Sequence, residues 1–144
     1  MNILPTTDSF VTYEQALALR ELGYNEKGYF FFSLSFCEDK TPVVCHKGYV
    51  LASTNSEMKD MGIEDEISAP TQSQATRWLR GKMLSCQVAY NVGKNDWYSH
   101  VVDMHEGYNL YSQFGHKTYE KALSEAITHA IKILIQNGAK TKMV

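Results

Sequence analysis

Several things are scarce in this 144-residue chain, and each scarcity removes a class of function. Only three cysteines occur, Cys37, Cys45 and Cys86, an odd number too small for a disulfide framework, so reduced and mostly buried thiols are expected. No apolar run approaches the roughly 18 residues of a membrane span. The opening Met1 to Phe10 has neither a basic region nor an apolar stretch behind it, so a soluble cytoplasmic protein with no membrane partner is expected. Basic residues are not in excess: fourteen Lys and Arg face sixteen Asp and Glu, which argues against a strongly basic nucleic-acid module or a polybasic membrane binder. Phosphate-cradling motifs of the G-x-x-x-x-G-K-[ST] and G-x-G-x-x-G kinds are missing, and the nine glycines are scattered through turns. No C-x-x-C pair and no calcium-loop spacing occur, so neither a cofactor nor a metal is expected.

What is present suffices for one ordinary core, since 44% of the residues are hydrophobic. The charge is unevenly spread: residues 1 to 70 hold five basic and eleven acidic side chains, net −6, and residues 71 to 144 hold nine and five, net +4. Glu57, Asp60, Glu64, Asp65 and Glu66 fall among Ser, Asn and Gly with no apolar period, so Ser53 to Ser68 reads as an acidic loop.

A short pattern recurs as Thr12-Tyr-Glu-Gln-Ala16, Thr71-Gln-Ser-Gln-Ala75 and Thr118-Tyr-Glu-Lys-Ala122. A threonine hydroxyl accepts from an orphan N–H of a first helical turn, and Gln15 and Gln74 stand where a side chain reaches back to close a capping box. Three helix starts are therefore predicted, and the repetition suggests an old duplication. The last helix is the clearest, because Tyr119, Ala122, Leu123, Ala126, Ile127, Ala130, Ile131 and Leu134 keep helical spacing for about four turns. Asn137-Gly138 supplies its predicted stop, as Gly23 does for the first helix. The short second helix has Ala75, Trp78 and Leu79 on its apolar stripe.

Between helices the period changes to two. Phe30, Phe32, Leu34 and Phe36, then Glu38 to Pro42, then Val43 to Ala52 read as a hairpin; Cys86 to Val92, Trp97 to Met104 and Tyr108 to Phe114 read as a three-stranded meander. The fold expected is α+β, an antiparallel sheet covered on one face by helices, in the order α-β-β-(acidic loop)-α-β-β-β-α. It is one domain over 1–144, divisible into an αββ half, 1–52, and an αβββα half, 71–137, joined by the acidic loop 53–70.

Candidate chemistry is sparse. Cys45-His46, eight residues after Cys37, is a thiol beside an imidazole, but neighbouring strand residues point to opposite faces. Asp103 and His105 stand two apart on one strand, hence on one face, where a carboxylate orients an imidazole; His100 falls on the other face. His116 and His129 read as surface residues. A small hydrolase using Cys45 or His105 is accordingly one alternative function. Arg77, Arg80, Lys82, Lys117 and Lys121 are the candidate contacts of a second alternative, weak nucleic-acid binding by the basic half. Trp78, Tyr90, Trp97, Tyr98, Tyr108 and Tyr111 lie in that half, and any left exposed offers a stacking surface. Ile133 and Ile135 lie beside the main apolar stripe of the last helix and are the candidate oligomer face.

The segments Ala69-Pro-Thr-Gln-Ser-Gln-Ala-Thr-Arg-Trp-Leu-Arg80, Phe10-Val-Thr-Tyr-Glu-Gln-Ala-Leu-Ala-Leu-Arg-Glu-Leu-Gly23 and Tyr119-Glu-Lys-Ala-Leu-Ser-Glu-Ala-Ile127 resemble a family of small uncharacterised proteins of gut Bacteroides-type bacteria, their prophages and other mobile elements. The resemblance implies an accessory gene and supplies no catalytic residue. In topology alone, residues 71 to 137 are similar to a double-stranded-RNA-binding domain and to small phage sandwich domains. RNA-binding members open their final helix with a lysine cluster; here Lys117-Thr-Tyr-Glu-Lys121 has two lysines and an acidic Glu120. The leading expectation is a non-enzymatic accessory protein that binds a protein partner or itself.

Overall fold

The computed structural model describes residues 9–26, 30–33, 43–44, 54–60 and 66–142. In chain order the elements are α1 (Tyr13–Glu21), β1 (Phe30–Ser33), β2 (Val43–Val44), α2 (Asn55–Asp60), β3 (Glu66–Ser68), α3 (Gln72–Gly81), β4 (Leu84–Asn91), β5 (Asp96–Asp103), β6 (Asn109–His116) and α4 (Tyr119–Lys142). They divide between two compact units, one of Phe10–Thr71 and one of Gln72–Val144 with Met1–Ser9.

In the first unit α1 begins as its sequence predicts. The Thr12 hydroxyl accepts from the Gln15 N–H at 3.1 Å and Gln15 Oε1 accepts from the Thr12 N–H at 2.9 Å, closing the capping box. Gly23, with φ of 97°, turns the chain out of the helix. Strand β1 pairs antiparallel with β2, as the hairpin reading predicts, and on its other side with β3. The remainder of that hairpin, with Cys37, Cys45 and His46, lies outside the described residues. Val11, Ala16, Leu19, Tyr24, Ile67 and Ala69 are buried.

The stretch predicted as an acidic loop contains α2 and β3, a correction that rests on one local cap and on bonds to distant residues. Thr54 Oγ1 accepts from the Glu57 N–H at 3.1 Å and so caps α2. Asn55 then ties the segment down: its Nδ2 donates to the Tyr24 carbonyl at 2.8 Å and its Oδ1 accepts from the Ser68 N–H at 2.9 Å. A six-residue helix and a three-residue strand are too short to write a period into a sequence, and their order comes from these side-chain bonds and from pairing with β1.

The second unit is a three-stranded antiparallel sheet, order β4-β5-β6, packed against α3 and α4. The two units hold separate sheets. On α4 the predicted stripe is the buried one, through Ala122, Leu123, Ala126, Ile127, Ala130 and Ile131, and it closes on Ala75 and Leu79 of α3 and on Leu84 and Val101 of the sheet. Thr118 caps α4 by accepting from the Lys121 N–H at 3.1 Å. The predicted stop at Asn137-Gly138 is overrun, because α4 continues to Lys142. A glycine costs a helix interior about 1 kcal/mol, but it ends a helix only by turning left-handed, and Gly138 does not. No helix among the described residues is long and apolar enough to cross a membrane.

Candidate functional site: the uncovered face of the sheet

Alternation along β5 divides the second unit's chemistry into two faces. Ser99 and Val101 point under the helices and are fully buried, while Tyr98, His100 and Val102 point the other way. Along β6 the alternation is broken twice. Trp97 pairs with His116 and Ser99 with Gln113, so Phe114 and Gly115 together oppose Tyr98 alone; Gly115, at φ of 86°, absorbs the extra residue. Val101 then pairs with Tyr111 and Val102 with Asn109, which leaves Leu110 as a second insertion.

The two bulges assemble the uncovered face. The Phe114 ring stacks on Tyr98 at 5.2 Å between centroids, and Tyr98 meets the edge of His100 at 4.9 Å. His100 Nδ1 lies 2.8 Å from Ser112 Oγ. The Asn109 amide donates to the carbonyls of Tyr111 at 2.7 Å and Val101 at 3.2 Å, and turns its oxygen to Ser112 Oγ at 2.5 Å and His100 Nδ1 at 3.3 Å. The reverse orientation would set that oxygen against two carbonyl oxygens. With the amide placed this way the His100 Nδ1–H donates. Phe114 and Leu110 are 62% and 46% exposed. Ser85, Gln87 and Ala89 of β4 complete a face whose only formal charge is Asp96, at the end of β5.

The helix side holds a different polar set. Ser99 Oγ and His116 Nε2 lie 3.1 Å apart, both buried. This corrects the reading of His116 as a surface residue: the bulge at Phe114-Gly115 reverses its parity and turns it inward. Tyr111 and His129 stack at 3.8 Å and 13°. Desolvation pushes the Tyr111 phenol above its ordinary value, against a hydrogen bond with Ser99 and with the Glu125 charge adding to the rise. Desolvation likewise holds the His129 imidazole below its ordinary value, with Lys132 reinforcing the effect and Glu125 opposing it. Cys86, a free thiol on this side, is pushed up to about 12 by burial, partly offset by the Arg80 charge. A thiol so held is a poor nucleophile at neutral pH.

Asp103 and His105 do not form an acid–base pair. Strand β5 ends at Asp103, and its carboxylate accepts from the His105 backbone N–H at 2.9 Å, closing a turn rather than orienting the imidazole. Among the described residues no group of three or more His, Cys, Asp or Glu side chains could hold a metal ion. Arg77, Arg80, Lys82, Lys117 and Lys121 are all exposed, on or beside the helices. Lys82 Nζ sits 5.0 Å from the centre of the Trp78 ring. The structure spreads these five along the helix layer: Gln72 donates to the Glu120 carbonyl at 3.0 Å, so the starts of α3 and α4 adjoin, with Lys117 and Lys121 there and Arg80 and Lys82 at the far end of α3. Ile135 is exposed and Ile133 half-buried.

Phe114, Ser112, Leu110 and Asn109 are the site residues that sequence reasoning missed. The signal available was Gly115 within a strand pattern, which marks a bulge and hence a change of parity. No protein-family model, no curated protein and no solved structure matches the chain.

Proposed function

We propose that this protein is a non-enzymatic accessory module, of the phage and mobile-element kind its sequence resembles, which binds a protein partner or its own copy through the uncovered face of the β4–β6 sheet. One observation carries the reading: Tyr98, His100, Leu110, Ser112 and Phe114 form a continuous aromatic and neutral-polar surface on the side opposite the helices. Aromatic groups with little charge are what the centres of protein interfaces are made of. The test is a photo-crosslinking amino acid placed at Phe114 or, on the helix side, at Lys132, in cells that express the chain. Adducts to protein from position 114 and few from position 132 are expected. Equal yields from both positions, or a specific turnover by the purified protein, would overturn the reading.

A second reading, nucleic-acid binding, draws on the helix layer. From Gln72 to Met83 and from Lys117 to Gly138 there are six basic and two acidic side chains, net +4. Among the described residues none of the six forms an ion pair. Binding of this kind releases counterions, so the slope of log affinity against log salt should be close to −0.9 per phosphate contact. Arg77→Glu with Arg80→Glu should then flatten the slope by about two units. A duplex probe whose binding ignores salt would remove this reading.

A further inference from the structure

We infer that the occupant of the uncovered sheet face is a second copy of this chain, in a two-fold, face-to-face dimer; the inference rests on the sheet-face reading above. The first reason is charge. A two-fold interface brings each patch against itself, so a patch of one sign repels its own copy. The helix layer, at net +4, is self-repelling. The uncovered face has a formal charge only at Asp96, at the end of the central strand, and a two-fold axis that crosses the strands near His100 sets the two copies of that residue at opposite ends of the interface.

The second reason is that the groups on the face complement themselves. The Tyr98 phenol and the Gln87 amide each both donate and accept, so a copy of the face can satisfy hydrogen bonds of its own kind. His100 is held at Nδ1 by Ser112 and Asn109, so Nε2 is the ring nitrogen left to meet a partner. Phe114 and Leu110, both exposed, are then covered by the same two residues of the partner copy.

Area places the contact in a size class. Three strands about 4.8 Å apart and about 27 Å long make a face of roughly 400 Å², so two copies cover roughly 800 Å² in projection, below the size of stable specific interfaces. The dimer is therefore a weak, transient one.

The test is sedimentation equilibrium of the full chain from about 5 μM to about 1 mM. The wild-type weight-average mass should climb from 16.4 kDa towards twice that value. Phe114→Glu should hold it at the monomer, and Ile135→Glu, on the exposed side of α4, should leave the climb unchanged. Circular dichroism checks that Phe114→Glu is folded; if it is not, a photo-crosslinker at position 114 replaces it and should join residues 96–116 of the two copies. A chain monomeric to 1 mM, or one whose climb is abolished by Ile135→Glu and not by Phe114→Glu, overturns the inference. If position 114 still forms adducts heavier than two chains, the second copy is wrong and the sheet-face reading stands; if it forms no protein adduct, both fall.

Discussion

Val101 and Val102 are neighbours on one strand with the same side chain, yet Val101 is fully buried under the helices and Val102 belongs to the opposite, uncovered face. The same contrast runs across the whole β4–β6 sheet. On one side Ile127, Ala126 and Leu79 close over the strands; on the other Phe114 and Leu110 meet water. Hydrogen bonding follows suit. Ser99 and His116 satisfy each other in a buried site, whereas His100 and Ser112 form a comparable pair that is exposed. The lesson is that a strand's composition does not set the worth of its side chains. Whether a helix covers them does, because only removal from water turns apolar area into stability and makes an unpaired polar atom costly.

The contrast can be broken most sharply by truncation. Ile127→Ala should cost about 2 to 5 kcal/mol by urea unfolding, because it leaves a cavity among packed neighbours, whereas Phe114→Ala should cost less than about 1 kcal/mol. Equal losses would mean that the sheet face is not open in solution. A smaller effect is expected from the two hydroxyls. Ser99→Ala strands the buried His116 ring and should cost about 1 to 3 kcal/mol; Ser112→Ala, whose partner can turn to water, should stay within about 0.5 kcal/mol.

The smallest effect is the dependence on pH. Because the folded His129 titrates below its ordinary value of 6.5, its contribution is complete above pH 6.5 and is lost as pH falls through the folded value, since the unfolded chain takes up the proton first. His129→Gln should therefore flatten the fall in urea midpoint between pH about 7 and about 5. A slope as steep as the parent's would assign that loss to other groups.

Much of this architecture can be read before any coordinates. The Thr12–Gln15 capping box, the Thr118 cap and the α4 stripe from Ala122 to Ile131 are all local, set by residues within four positions of one another. So is the meander, whose turns fall at 92–95 and 104–108. The short elements α2 and β3 are not legible, because Asn55 acts through Tyr24 and Ser68, thirty-one and thirteen positions away. Nor is the candidate site. Period-two reading puts Asn109 with Tyr111 and His116 with Phe114, and in each pair the structure separates the two residues to opposite faces.

The sequence by itself determined the starts of α1, α3 and α4, the strands of the second sheet, the covered stripe of α4 and the division of charge between the halves, since caps, periods and net charge are properties of neighbouring residues. Tertiary structure alone decided which face each side chain of β6 occupies. A bulge inserts one residue relative to a partner strand, and parity after it is counted against that partner. His116 goes inward to Ser99 and Asn109 outward to Ser112 because β5 is there to pair with.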